Sequence, residues 1–243
     1  MTKHKPGQGL VIAIDGPAGV GKSTVGGLVA KSLGYKFINT GEMYRALTWK
    51  GLERGLDLND HAAVLALAKS LSWEFKPVED GGTTLKTFID GSGVTMQIRE
   101  ERVSVNSSLV AGNPGVRRFL SKLQRELGVN KAREAGGIVM EGRDITTNVF
   151  PDADVKIYLD ASPEERADRR YRQLKAADQE ADRDKILAAI LKRDLNDLKR
   201  EINPLKQAPD ALLIDSTSLT LRQVADKILR RIRRDARRGG DVQ

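Results

Sequence analysis

The chain has 243 residues, and its 41 lysines and arginines against 33 aspartates and glutamates give a formal net charge of +8. Hydrophobic residues make up 40% and charged residues 30%, a balance that is typical of a packed globular domain and excludes wholesale disorder. Because there is no cysteine, disulfides, thiolate metal sites and a cysteine nucleophile are excluded, so any chemistry depends on oxygen and nitrogen groups.

The N-terminal segment predicts neither a signal sequence nor a membrane span, because Asp15 and Gly16 end the apolar run 10–14 far short of either. We therefore expect a cytoplasmic protein. The positive charge predicts an anionic partner, and nucleotide phosphates, nucleic acid and a membrane surface are the candidates. Part of the charge lies in the C-terminal stretch 224–238, whose apolar residues recur at helical spacing and predict a helix with a solvated basic face.

The first third of the chain alternates between strand and helix patterns. The short, wholly apolar run 10–14 predicts a strand that is buried on both faces of a parallel sheet. Glycine at position 34 marks the end of the first predicted helix. The remaining patterns predict helices at 23–33, 42–54 and 61–70, and a strand at 35–38.

The stretch 72–98 interrupts this alternation, because short apolar runs are separated there by the turn signals Gly81-Gly82 and Asp90-Gly91. It predicts a small antiparallel insert. The patterns that follow predict helices at 103–110 and 116–128, strands at 137–140 and 155–159, a long charged helical region from 163 through 199, a strand at 211–214 and a C-terminal helix. This order predicts an α/β fold with a mostly parallel sheet wrapped by helices, and the charged region is long enough to form a helical lid.

A phosphate-binding loop follows the first predicted strand and precedes a helix. It fits the pattern G-x-x-x-x-G-K-[ST] at Gly16, Pro17, Ala18, Gly19, Val20, Gly21, Lys22 and Ser23. Glycines allow successive backbone N–H groups to converge on phosphate oxygens, and the start of a helix adds partial positive charge. Lys22 would contact the outer phosphates and Ser23 would offer its hydroxyl to Mg²⁺, so the loop predicts binding of a nucleoside triphosphate.

The loop alone does not distinguish a kinase from a GTPase, a motor or a nucleic-acid translocase. The chain has no N-K-x-D tetrapeptide for reading guanine, and it lacks the larger size and paired acids expected of a motor. Arginines that match phosphate oxygens occur instead at predicted loops and helix starts, at Arg45, Arg117, Arg143, Arg193 and Arg200. This pattern favours phosphoryl transfer between two anions.

The residues around these arginines resemble the bacterial cytidylate kinase family along nearly the whole chain. The similar segments are IDGPAGVGKST at 14–24, TGEMYR at 40–45, GRD at 142–144, VFPDA at 149–153, KIYLDAS at 156–162, EERA at 164–167, Arg193-Asp194 with Asp197 and Arg200, and ALLIDST at 211–217. The resemblance implies a P-loop kinase fold that transfers the γ-phosphate of MgATP to CMP or dCMP. It implies ATP and Mg²⁺ as cofactors, and the stretch 72–98 corresponds to the family's antiparallel insert in the acceptor-binding region.

The resemblance also implies roles for individual residues. ATP would be bound by the eight residues of the loop pattern, by Thr24 directly after them, and by the lid residues Arg169 and Arg170, with Ser23 on Mg²⁺. The acceptor phosphate would be held by Thr40, Arg45 and Arg143, the cytosine by Ser108, Arg117 and Asp144, and the ribose by Arg193 and Asp197, with Arg200 completing the site. The residues that would act in catalysis are Lys22, Arg143, Asp144 and Asp197.

Several alternatives stay open on sequence alone. Residues 193–200 are at the spacing of ordinary surface ion pairs on a helix, Arg117 beside Arg118 is typical of a solvated helix face, and Tyr44 is typical of core packing. A UMP or AMP kinase would share the same chemistry, and the basic tail is compatible with an ATP-dependent nucleic-acid-binding protein, although no nucleic-acid module accompanies the charge. We expect small-molecule substrates, no membrane or nucleic-acid partner, and a monomer.

We expect one P-loop kinase domain with distinct parts. They are a core at 8–40, 130–162 and 208–238, an acceptor-binding region with the β insert at 41–129, a lid with adjoining helices at 163–207, and a tail without regular structure at 239–243.

Overall fold

A computed structural model of the chain describes residues 9–77 and 81–240. In this part of the chain one eight-stranded sheet forms the centre of the molecule, with strand order β3-β4-β2-β6-β1-β7-β8 and β5 paired to β4. The strands are β1 Leu10–Asp15, β2 Lys36–Asn39, β3 Trp73–Pro77, β4 Thr84–Ile89, β5 Ser92–Gly93, β6 Gly137–Glu141, β7 Val155–Asp160 and β8 Leu212–Asp215.

Helices connect the strands and cover both faces of the sheet. They are α1 Lys22–Leu33, α2 Thr40–Glu53, α3 His61–Ser70, α4 Glu101–Gly112, α5 Pro114–Ala135, α6 Pro163–Ala176, α7 Arg183–Leu198 and α8 Leu221–Gly240. Two short turns lie between them, a 3₁₀ helix at Gln97–Arg99 and a π-helical turn at Ile145–Val149.

Local sequence fixes many of the helix ends. The side chains of Asn39, Asp60, Asn113 and Asp182 each accept a hydrogen bond from a backbone N–H in the first turn of the helix that follows. At the other end of α1, Gly34 has a left-handed backbone with φ 71°, which satisfies the last carbonyls of the helix and which glycine adopts without steric cost.

The strands β1 and β6 and the central residues of β2 are buried on both faces, as the apolar run 10–14 predicts for β1, whereas β7 alternates between buried and half-buried residues. Ile12 and Ile14 point to the face covered by α1 and α8, whereas Ala13 points to the face covered by α5. Neighbouring strands are parallel along the spatial order β4-β2-β6-β1-β7-β8, so the carboxyl ends of these strands lie at one edge. The loops that follow β1, β2, β6 and β7 therefore meet there.

The predicted insert is antiparallel within itself, but it is not separate from the core. The strand β3 runs antiparallel to β4, and β4 pairs in parallel with β2 through Phe37↔Thr84 and Ile38↔Leu85. The turn signals at Gly81-Gly82 and Asp90-Gly91 specify only the local reversal of the chain. The insert consequently extends the central sheet by two strands beside β2.

Other differences from the predicted elements concern boundaries. The charged region from 163 onward forms two helices, because Asp178 has a left-handed backbone (φ 52°) and Asp182 caps the start of α7. The helix α5 is longer than expected and runs across the boundary placed at 129–130. The helix α8 continues to Gly240, two residues into the tail expected to lack structure, while 241–243 lie outside the described residues. Among the helices of 9–77 and 81–240, none has the length and apolarity to cross a bilayer.

Two adjacent glycines of α1 test the packing of this helix against the sheet. A Cβ on Gly26 would lie 2.5 Å from Cε2 of Phe37, whereas a Cβ on Gly27 would meet nothing within 4 Å. We expect Gly26→Ala to lower the free energy of unfolding by about 1–3 kcal/mol through overpacking. Gly27→Ala should raise it by about 0.5–1 kcal/mol through helix propensity. Urea denaturation of both variants measures the two effects, and equal changes in both would contradict this packing.

Candidate active site

The phosphate-binding loop, residues 16–24 and called the P-loop from here on, lies at the carboxyl end of β1. This strand is flanked by β6 on one side and β7 on the other. The backbone of Gly16 (φ 148°), Gly19 (φ 82°) and Gly21 (φ 94°) lies in the region that favours glycine. A Cβ on Gly16 would meet the carbonyl oxygen of Leu159 at 1.9 Å, so glycine is required for the loop to leave the sheet at this point.

The Lys22 side chain is folded into the P-loop. Its Nζ donates hydrogen bonds to the carbonyl oxygens of Gly16 at 2.8 Å and Pro17 at 2.6 Å, and the residue is 5% exposed. Burial and, to a lesser extent, the positive charge of Arg143 lower the pKa of Lys22 to about 7, against a smaller opposing effect of Glu141. An anion beside Nζ would restore the charge.

A buried acid that sequence reasoning missed lies next to the P-loop. Glu141, the last residue of β6, accepts a hydrogen bond from Oγ of Ser23, and its backbone oxygen accepts one from Oγ1 of Thr40 at 2.8 Å. Burial raises the pKa of this carboxyl group. A hydroxyl and a carboxylate in contact are the hard oxygen ligands that fit Mg²⁺ when phosphates supply the rest of its shell. An acid directly after the apolar run 137–140 was the available signal.

The two hydroxyl residues that end the P-loop differ in their contacts. Ser23 and Thr24 are both exposed in the first turn of α1. The Ser23 hydroxyl binds Glu141 and also accepts a hydrogen bond from Nδ2 of Asn39 at 3.3 Å. Within 9–77 and 81–240, the structure gives the Thr24 hydroxyl no such partner, so this side chain is not joined to the buried groups of the site as Ser23 is. The predicted contact of Thr24 with ATP stays a prediction.

Five basic side chains lie together at this edge of the sheet, and we call them the cation cluster. Positive charge on Arg143 and Arg193 disfavours the charged form of Lys22, and Arg143, Arg45 and Arg200 do the same to Arg193. Burial is the largest cause, and together with these charges it lowers the pKa of Arg193 to about 10. The members of the cluster are Lys22, Arg45, Arg143, Arg193 and Arg200.

Asp197 is the acid at the centre of the cation cluster. It is 1% exposed, and it accepts hydrogen bonds from Nε of Arg143 at 2.8 Å and from Nη2 of Arg200. Burial would raise the pKa of Asp197, but these guanidinium groups outweigh burial and hold the pKa below its usual value. The interpretation of residues 193–200 as surface ion pairs is therefore wrong, because Asp197 is buried and binds an arginine 54 residues away.

Arg45 is the member of the cation cluster that lies on α2. Its Nη1 donates to the carbonyl oxygen of Ile98 at 3.0 Å and to Oγ of Ser104 at 2.8 Å. Its pKa is lowered by burial and then by the positive charges of Arg170 and Arg143. Because this side chain also lies close to other cations, the cleft has a surplus of positive charge that a bound anion would relieve.

Arg117 and Asp144, both predicted to face the base, form a buried ion pair. Nη2 of Arg117 lies 2.8 Å from Oδ1 of Asp144, and both side chains are nearly inaccessible to solvent. Tyr44 packs beneath Arg117 with its ring centroid 5.6 Å from Cζ, so it belongs to the core, as one interpretation of the sequence held. The interpretation of Arg117 as part of a solvated helix face is wrong. Ser108 is half-buried on α4, one turn beyond Ser104.

The helix α6 contacts the P-loop through two arginines. Arg169 donates to the backbone oxygens of Ser216 at 2.6 Å and Val20 at 3.5 Å. Arg166, which the sequence analysis did not single out, is 3% exposed and donates to the backbone oxygen of Ala18 at 3.1 Å.

The remaining contacts of α6 set the position of the two helices. Arg166 also binds Asp194 of α7 at 2.5 Å, which ties α7 to the P-loop through α6. Arg170 is exposed, and its charge acts on Arg45. The signal for Arg166 was its place in the segment EERA, which carries the resemblance.

A buried carboxylate joins the P-loop to the segment that presents Arg143 and Asp144. Asp15, the last residue of β1, is fully buried. Its Oδ1 accepts from the backbone N–H of Ile145 at 2.9 Å, and its Oδ2 accepts from the N–H of Thr146 at 2.7 Å and from the Thr146 hydroxyl at 2.6 Å. Burial raises the pKa of Asp15 to about 6, although these hydrogen bonds oppose the change.

The elevated pKa of Asp15 predicts a specific pH dependence of stability. Between its ordinary pKa of 3.8 and its folded value of about 6, the folded state binds the proton more tightly than the unfolded state, so stability rises as pH falls through this window. From pH 7 to pH 5 we expect the wild type to gain about 1 kcal/mol relative to Asp15→Asn, which lacks the titration. Denaturant unfolding at several pH values measures the difference.

Thr146→Val provides a second variant for the same measurement. It removes one hydrogen bond to the carboxylate and keeps the titrating group. The pKa of Asp15 in the folded state should therefore rise, and the upper end of the pH range over which stability changes should move to higher pH. Parallel stability curves for the wild type and Asp15→Asn would contradict the assignment.

Comparison with known proteins places the chain in a family. The family model described as cytidylate kinase matches residues 12–234. A cytidylate kinase of Bacillus licheniformis is 46% identical over 94% of this chain and 98% of its own length, and one of Geobacillus thermodenitrificans is 47% identical over 90% and 95%. A cytidylate kinase of Bacillus subtilis is 43% identical over 94% of this chain and 98% of its own length.

Among solved structures, a gluconokinase of Sinorhizobium meliloti 1021 aligns with a TM-score of 0.48 at 13% identity, covering 98% of this chain and 100% of that chain, so the assignment rests on the sequence relatives. These relatives agree with the family model over nearly the whole chain. The chain belongs to the cytidylate kinase family.

Proposed function

We propose that the protein transfers the γ-phosphate of MgATP to CMP or dCMP and releases ADP with CDP or dCDP. The observation that carries the proposal is the cation cluster, which contains Lys22 of the P-loop and in which Arg200 is close enough to be affected by the charge of Arg117. Like charges packed this closely favour the binding of polyanions, and two anionic substrates would offset their repulsion. Membership of the cytidylate kinase family supports the same reaction.

On the donor side, the backbone of residues 16–24 and Nζ of Lys22 would hold the phosphates of ATP. Thr24 would contact the nucleotide from the exposed first turn of α1, where its hydroxyl is accessible. Ser23 would coordinate Mg²⁺, with Glu141 as its carboxylate neighbour. The ion, when bound, offsets negative charge on the β- and γ-phosphates.

The helix α6 would cover the donor nucleotide. Arg169, next to the P-loop, and Arg170 would close over ATP from this helix. Arg166 keeps the helix in place through the backbone oxygen of Ala18. The donor site would thus be bounded by the P-loop below and by these guanidinium groups above.

On the acceptor side, Thr40, Arg45 and Arg143 would hold the phosphate of CMP. Arg193 and Asp197 would reach the ribose hydroxyls, with Arg200 beside them. The base would lie against Ser108 and the pair Arg117–Asp144. Asp144 can accept a hydrogen bond from the exocyclic amine of cytosine, whereas uracil would turn a carbonyl toward this buried acceptor at a cost of about 1–3 kcal/mol.

Transfer would proceed in line and without a phosphoenzyme. An oxygen of the acceptor phosphate attacks the γ-phosphorus while the bond to the bridging oxygen breaks and ADP leaves. No strong general base is needed, because the attacking oxygen is already anionic. Lys22 and Arg143 would stabilise charge on the transferring group, and Asp197 holds Arg143 in line through Nε.

The division into a core, an acceptor-binding region at 41–129 and a lid at 163–207 is part of this proposal. The contacts of Arg166 and Arg169 with the P-loop support the lid, because they connect α6 to the donor site. Closure over both nucleotides would exclude water from the transferring phosphate. A monomer contains every residue named here, and we propose that it acts in the cytoplasm, where its nucleotide substrates are found.

A panel of acceptors tests the proposed reaction. Initial rates with MgATP and CMP, dCMP, UMP or AMP are measured by coupled detection of ADP. We expect CMP and dCMP to be the preferred acceptors by kcat/KM, because Asp144 would discriminate against uracil. A higher kcat/KM with UMP or AMP than with both cytidine nucleotides would refute the proposal. ADP formation stimulated by RNA or DNA alone would favour the nucleic-acid alternative.

The lowered pKa of Lys22 predicts that ATP binding takes up a proton at pH 8. With its pKa lowered to about 7 by burial, we expect Lys22 to be largely neutral at this pH in the free enzyme, and the phosphates of ATP favour its charged form. Titration calorimetry in two buffers of different ionisation enthalpy measures the uptake. Lys22→Arg is the matched control, because its guanidinium stays charged throughout. Equal proton uptake by the wild type and Lys22→Arg would show that another group is responsible.

A further inference from the structure

Asp144, the base-facing acid of the proposed function, is held at both carboxylate oxygens. Oδ1 lies 2.8 Å from Nη2 of Arg117, and Oδ2 accepts a hydrogen bond from Nδ2 of Asn148 at 3.1 Å. The Asp144 residue is 5% exposed, so the protein rather than solvent sets its orientation. Asn148 lies outside every segment that carries the family resemblance and has no role in the reaction described so far.

The amide of Asn148 is itself oriented by a second partner. Its Nδ2 also donates to Oγ of Ser121 at 2.9 Å. An amide nitrogen has two N–H donors, and here one serves Ser121 and the other serves Asp144. Rotating the amide by half a turn would place its carbonyl oxygen against the carboxylate of Asp144, so the observed orientation is the favourable one.

One helix thus controls both oxygens of Asp144. Arg117 and Ser121 are four residues apart on α5 and therefore lie on the same face of the helix. Arg117 reaches Oδ1 directly, and Ser121 acts on Oδ2 through Asn148. The π-helical turn completes the arrangement, because the backbone N–H groups of Asn148 and Val149 both donate to the carbonyl oxygen of Asp144, at 2.9 and 3.1 Å. This brings the Asn148 side chain back toward the carboxylate.

We propose that Asn148, oriented by Ser121, determines specificity by positioning Asp144 for cytosine. With both oxygens held, the carboxylate presents a fixed acceptor to the exocyclic amine of the base and cannot turn away from the carbonyl of uracil. With Oδ2 released, the carboxylate can rotate about Cβ–Cγ, so the fit to cytosine weakens and the penalty for uracil falls. The inference rests on the proposed function, because it assumes that Asp144 faces the base.

The test compares Asn148→Ala with Asn130→Ala. Ser121, Asn148 and Asn130 line one surface groove beside α5. Asn130 serves as the matched control, because it is the same residue type in the same groove. For Asn148→Ala we expect the ratio of kcat/KM for CMP to that for UMP to fall by about tenfold, mainly through a higher KM for CMP, with the KM for ATP unchanged. Asn130→Ala should keep the wild-type ratio.

Ser121→Ala keeps the inference testable if Asn148→Ala folds poorly. It leaves Asn148 in place and removes only the acceptor that orients its amide, so the ratio should fall in the same direction by a smaller factor. An unchanged ratio in folded Asn148→Ala or Ser121→Ala, with equal losses for CMP and UMP, would overturn the inference and leave Asn148 a purely structural residue. Failure of the proposed function is distinguished by the wild type, which would then prefer UMP or AMP.

Discussion

The crowding of buried like charges at the carboxyl edge of the sheet is the constraint on which the rest of the structure depends. Burial and mutual repulsion disfavour the charged forms of Lys22 and Arg193, and folding brings these groups together all the same. The parallel strands β1, β2, β6 and β7 make this possible, because each delivers one loop to the same edge. Because the protein neutralises these charges incompletely, the cluster favours the binding of the polyanions that the proposed reaction requires.

Each buried acid near the cluster has a different task, which its partners define. Asp197 neutralises part of the cluster and aligns Arg143 and Arg200. Glu141 binds the P-loop hydroxyl of Ser23, whereas Asp15 binds backbone N–H groups and fixes the chain after Asp144. Asp144 has both oxygens held and is the acid that faces the proposed base site. Carboxylates of one chemical type thus serve charge balance and backbone anchoring in the structure, and metal binding and base recognition in the proposed reaction.

The sequence predicts those parts of the fold that depend on neighbouring residues. The strand, glycine loop and helix at 10–33 follow from local patterns, and so does the antiparallel turn at Asp90-Gly91. The parallel pairing of β4 with β2 does not, because no local signal encodes a partner so far along the chain. The same reason applies to the site: the roles expected of Arg117, Arg143 and Asp144 came from the resemblance to a family, whereas the contact of Asp15 with Thr146 spans 131 residues and has no local signal. Glu141 had a weak local signal in its place directly after an apolar run, whereas Asn148 is recognised only through the contacts that it makes.

The pairing of β4 with β2 bears on how the acceptor-binding region can move. The strand β2 ends at Asn39 and Thr40 follows it directly, so the strand that leads to the proposed acceptor site is hydrogen-bonded to the insert through Phe37↔Thr84 and Ile38↔Leu85. If the insert moved as a rigid body, it would therefore have to bend the edge of the sheet or break the pairing between β2 and β4. In the described structure, no strand of the sheet lies within the region of α6 and α7. These helices contact the P-loop mainly through side chains such as Arg166. We therefore expect rearrangement to be easier on the proposed donor side of the site than on the proposed acceptor side.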